Sequence, residues 1–85
     1  MLTAGTERRI EPRHRVGEGG EIALDEHTTI GCLVHDLSAS GVRLTLPDAA
    51  AIPEVFLLSA ACLPDAAVCR VVWRDDETIG ARFEN

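Results

Sequence analysis

The chain has 85 residues, 46% of them hydrophobic, a formal net charge of -6 and no lysine. That length supports one small domain with one modest core, and that hydrophobicity excludes a disordered chain. An acidic body excludes the broad basic face that polymeric nucleic acid requires.

The elements follow in chain order. Residues 1–14 read as a flexible arginine-rich arm ahead of a domain at 15–85. "ERRIEPRHR" gathers Arg8, Arg9, Arg13 and Arg15, four of the eight arginines. Residues 1–16 therefore balance at +2, which leaves -8 for the rest. Past the arm, apolar residues recur with period two, the signature of half-buried strands. "GEGG" reads as a loop, with Ile22 and Leu24 on the first strand. Ile30, Cys32 and Val34 give a second strand, and Val42, Leu44 and Leu46 a third. "PDAAAIP" is held to about one helical turn by Pro47 and Pro53. "EVFLLSA" is nearly continuous in apolar residues, as in a strand covered on both faces. Cys69, Val71 and Trp73 alternate with Arg70, Val72 and Arg74 on a fifth strand. After a turn at "RDDE", Ile79, Ala81 and Phe83 line a sixth. The pattern is all-β: a small six-stranded antiparallel barrel with a flexible N-terminal arm.

No apolar run reaches the length of a membrane span, and "MLT" opens no signal peptide. Cys32, Cys62 and Cys69 are odd in number and lack paired metal spacing. They read as reduced thiols in a cytoplasm, with no metal and no cofactor expected. Neighbours such as His35, Asp36 and Ser38 cannot orient one another as base, acid and nucleophile. No enzymatic activity is expected.

Two segments carry recognition chemistry. Arginine's planar fork donates paired hydrogen bonds to phosphate or to guanine O6 and N7, so an arginine cluster suits a small polyanion. In "DLSASG", Asp36 and Ser38 stand two apart on an extended chain and share a side. They could offer a carboxylate and a hydroxyl to one ligand edge, with Gly41 shaping the backbone. Taken alone, the first segment reads as a solvated tail and the second as turn chemistry.

Together, "RRIEPR" and "DLSASG" resemble the two signature motifs of the PilZ domain family, receptors for the bacterial messenger cyclic di-GMP. Those motifs are RxxxR, matched by Arg9 and Arg13 with Arg8 before them, and [D/N]xSxxG, matched by Asp36, Ser38 and Gly41. The ending "VVWRDDETIGARF" looks like the family's last two strands. The resemblance implies a cytoplasmic cyclic di-GMP receptor module whose arm wraps over the ligand and so alters interaction with a protein partner. By that analogy Arg9 and Arg13 hold phosphate and the guanine Hoogsteen edge, and Arg8 favours two intercalated ligand molecules. Asp36 and Ser38 read guanine, and Gly41 shapes the turn. Trp73 fits either a place beside the ligand or a core position. The alternative is a PilZ-like interaction adaptor that binds no nucleotide. The oligomeric state stays open.

Overall fold

The computed structural model describes residues 12–84. Six strands follow one another: β1 (His14–Ala23), β2 (Thr29–Leu37), β3 (Gly41–Thr45), β4 (Val55–Ala60), β5 (Ala67–Arg74) and β6 (Thr78–Phe83). They close into an antiparallel barrel in the order β1-β2-β3-β6-β5-β4, with β1 paired to β4 at the seam. A barrel leaves no unpaired sheet edge, so every strand's backbone finds partners among its neighbours.

The core is the inward half of each alternating strand. Val34, Leu44 and Ile79 stand in one cross-strand row over β2, β3 and β6. Ile22 pairs with Leu58, and Phe56 with Cys69, on the other side. All seven are buried, the first five with no exposed surface. At about 25 cal/mol per Å² of apolar area, each large aliphatic side chain in this set contributes roughly 1.5–3 kcal/mol.

Two strands depart from the expected pattern. β1 starts at His14 and runs straight through the glycines read as a loop, while Leu24 falls outside it and donates its N–H to Thr28 O in the hairpin turn. Between Arg15 and Glu18 the register shifts, so Val16 and Gly17 stand opposite His35 alone. Gly17 takes φ +64°, open to glycine and strained for other residues. On β4, Val55 and Leu57 are exposed while Phe56 and Leu58 are buried. The apolar run is therefore covered on one face only, as a solvated antiparallel sheet allows. Of the segment read as an arm, residues 1–11 lie outside the described residues.

The link from β3 to β4 contains the expected single turn, a 3-10 turn at Ala49–Ala51. Arg74 holds it from β5. Its Nη1 donates to Ala49 O at 2.9 Å and Ile52 O at 2.6 Å, and its Nη2 reaches Glu54 Oε2 at 3.3 Å. Arg74 is thus committed to the fold.

All three thiols are free. Burial, then the Glu21 charge, pushes the Cys32 thiol up to about 11, and burial, then Cys32, does the same for Cys69. Cys62 is also raised, first by burial. The chain has no lysine or tyrosine, so between pH 9 and 11 essentially only thiols titrate. Above pH 9 the unfolded chain loses these protons first, so stability present below pH 9 is lost as pH rises toward 11. Denaturant melts across that window are expected to show the decline, and a Cys32→Ala/Cys69→Ala protein to show much less of it.

Among the described residues, no helix is long and apolar enough to cross a membrane.

Candidate ligand groove on the outer barrel wall

The β2–β3 connection is a four-residue turn locked by its own serine. Ser38 N–H donates to Gly41 O at 2.9 Å, and Gly41 N–H donates to Ser38 Oγ at 3.2 Å. With only 7% of its surface exposed, Ser38 serves the turn from beneath. Gly41 is required by a close approach: a Cβ there would lie 2.5 Å from Ala81 O on β6.

This turn fixes the register of the two strands, pairing Leu37 with Val42 and Asp36 with Arg43. The next pair is Val34 with Leu44, so His35 is an extra residue on β2. Strict alternation would put Asp36 on the same inward side as Val34. The bulge at His35 turns it to the outer face, beside Arg43. There its carboxylate is clamped: Arg13 Nη1 lies 2.5 Å from Oδ1, and Arg43 Nη2 lies 2.7 Å from Oδ2. The Asp36 side chain is 8% exposed, against 57% for Arg13 and 48% for Arg43. The carboxylate is buried by its own partners, a geometry in which two charge-assisted bonds replace lost hydration.

A second bulge works from the opposite side. Val71 pairs with Ala81 and Trp73 with Gly80, leaving Val72 extra on β5. Period two would carry Trp73 inward with Cys69 and Val71. The bulge turns it out instead, 46% exposed. Its indole lies against the bare backbone of Gly80, in the space a side chain there would fill. Arg43 pairs with the same Gly80 from the other flank. Asp36, Arg43, Gly80 and Trp73 therefore stand in one row across β2, β3, β6 and β5.

Over this row lies a groove of about 350 Å³. Its apolar lining comes from Val42, Val72, Trp73 and Ala81. Its charged lining comes from Arg13, Asp36, Arg43 and Arg82. Those four groups sum to a formal +2 on a protein whose total is -6.

Of the residues singled out in the sequence, Arg13, Asp36, Gly41 and Trp73 meet at this groove. Ser38 is held below the rim, and Arg8 and Arg9 lie outside the described residues. Pattern reading passed over Arg43, Arg82 and Gly80. Arg43 was within reach: counting back from the Ser38–Gly41 turn pairs it with Asp36. Among the described residues, no three ligating side chains gather into a metal site.

A family model for the PilZ domain matches residues 7–85. The chain belongs to the PilZ domain family. No curated protein matches it. The match spans both motifs and all six strands, and PilZ domains are binding modules, broadly receptors for cyclic di-GMP. In this PilZ domain the two motifs are joined physically, since Arg13 of RxxxR is the ion-pair partner of Asp36 of DxSxxG.

Proposed function

We propose that this PilZ domain is a cyclic di-GMP receptor that binds its ligand in the groove between Asp36 and Trp73, orders its N-terminal arm over it, and so changes the surface offered to a protein partner. The observation that carries the reading is the Arg13–Asp36 contact at the edge of a cationic groove with an indole on its far side.

The chemistry of the parts fits a guanine dinucleotide. The Asp36 carboxylate can accept from guanine N1–H and N2–H, the guanidinium forks suit phosphate oxygens and guanine O6 and N7, and the indole offers a stacking face. Ser38 acts here through the turn that sets Asp36 in place. Both Asp36 oxygens are engaged by arginines before ligand arrives, so binding trades partners instead of uncovering a naked charge. Each guanidinium has five N–H donors, enough to keep Asp36 and accept a phosphate together.

The arm follows from Arg13. Arg9 precedes it by four residues, so its Cα stays within about 14 Å of Arg13 even in a fully extended chain. Ordering that segment opposes binding, and charge-assisted hydrogen bonds of roughly 1.5–3 kcal/mol each offset it. No catalytic step is involved.

Trp73, the protein's sole indole, reports directly on the groove. Its emission is expected to change saturably with cyclic di-GMP and not with GTP at equal concentration. Amide hydrogen exchange over residues 7–13 is expected to slow in the same complex. Saturable emission with unchanged exchange would keep the receptor and reject arm ordering; a flat titration would reject both.

A further inference from the structure

We infer that Arg43 and Arg82 form a phosphodiester-binding pair built into the barrel wall, which holds one phosphate of the ligand independently of the arm. The inference rests on the reading of the groove as a cyclic dinucleotide site.

Register places the two side chains together. On the β3–β6 ladder Arg43 pairs with Gly80 and Gly41 with Arg82. The arginines are therefore diagonal neighbours, two positions apart on adjacent strands, close enough for long side chains to converge on one group. Both line the groove, and their side chains are 48% and 62% exposed. The Trp73 indole fills the space over Gly80 opposite Arg43, so it flanks the pair on the β5 side.

Their existing bonds leave capacity for an anion. Arg43 gives one nitrogen to Asp36 at 2.7 Å, and Arg82 gives Nε to Glu84 at the longer distance of 3.6 Å. The exposed Arg82–Glu84 pair stabilises the fold by about 0–1 kcal/mol, too little to account for an arginine on this groove of a -6 protein. Two forks converging on one anion match the tetrahedral oxygens of a phosphodiester, as isolated point charges would not.

A cyclic dinucleotide has two phosphates on opposite sides of its ring. Arg43 and Arg82 stand on paired strands, so the barrel wall itself can meet one of them.

The test is a titration of the full chain with cyclic di-GMP, comparing wild type with Arg43→Ala, Arg82→Ala, the double variant and Arg43→Lys. Thr29→Glu serves as control: it lowers net charge by the same one unit at the far end of β2, seven residues from Asp36. Each single alanine is expected to weaken binding five- to twentyfold and the double about a hundredfold. The control stays within twofold, and all melt within a few degrees of wild type. Arg43→Lys recovers only part of the loss, because it keeps the charge without the fork. A flatter salt dependence of Kd in the double variant marks lost phosphate contact, which a purely structural role would not produce. Wild-type affinity in both alanine variants overturns the pair while leaving the receptor reading intact. Loss in Arg43→Ala alone also overturns it and reduces Arg43 to a holder of Asp36. Absence of binding by wild type is a different result, the failure of the receptor reading itself.

Discussion

Arg13→Ala is expected to weaken cyclic di-GMP binding tenfold or more while moving the melting temperature by only a few degrees. The asymmetry comes from exposure. The Arg13 side chain is 57% exposed, and Asp36 keeps Arg43 at 2.7 Å when Arg13 is gone, so little folding free energy is lost. Under the proposed function binding suffers more, because Arg13 would donate to the ligand as well as to Asp36. Losing one charge-assisted bond of roughly 1.5–3 kcal/mol corresponds to about ten- to a hundredfold in Kd. Asp36→Ala is the sharper companion. It removes the shared counter-charge of two arginines along with the proposed guanine acceptor, so both affinity and melting temperature are expected to fall. Titration and thermal melts of the two variants check this together. Equal affinities for Arg13→Ala and wild type would remove Arg13 from the site.

Gly41→Ala is expected to be the most damaging single-methyl change in the domain. The added Cβ would stand 2.5 Å from Ala81 O, a backbone atom that cannot swing aside. Relief requires β3 and β6 to part near the Gly41–Arg82 pair, the end of the ladder that carries the Asp36 turn. Forced overpacking of this kind costs typically about 1–3 kcal/mol. In a domain this small that lowers the melting temperature by roughly 5–20 °C. Gly19 is the internal comparison, since a Cβ there meets nothing within 4 Å. Gly19→Ala is expected to melt within a few degrees of wild type. If the two variants melt alike, the close approach of β3 to β6 is relaxed at no cost and the glycine serves another end.

Much of the barrel is legible in period-two alternation, because burying one face of a strand leaves its mark at every second residue. Ile30 to Val34, Val42 to Leu46 and Ile79 to Phe83 carry that mark plainly. The bulges were not. An extra residue such as His35 or Val72 breaks the parity of everything after it, yet in the sequence it looks like one more strand residue. Period two therefore carries Trp73 inward with Cys69 and Val71, and gives no reason for Asp36 to leave the side of Val34. The glycines of β1 misled for a related reason: "GEGG" has the composition of a loop, while pairing to β2 and β4 makes it strand. The groove is thus a property of two parity breaks facing each other across β3 and β6. Its motif residues can be found by pattern; Arg43 and Arg82 need the register.

That arrangement also shows how the proposed anion site is compatible with an acidic protein. The net charge of -6 is spread over the body, where salt screens it beyond about 8 Å. The +2 of the groove acts at contact distance, where screening is weakest. Concentrating arginine at one groove and its arm gives a local site without a basic surface that would collect polymers.

The most direct test of the account is a calorimetric titration of the intact chain with cyclic di-GMP, with GTP as control and an Arg9→Ala/Arg13→Ala protein beside it. The account predicts saturable binding at micromolar concentration or tighter for wild type, none for GTP, and none for the double variant. A folded wild-type protein that gives neither heat nor a change in Trp73 emission would contradict it.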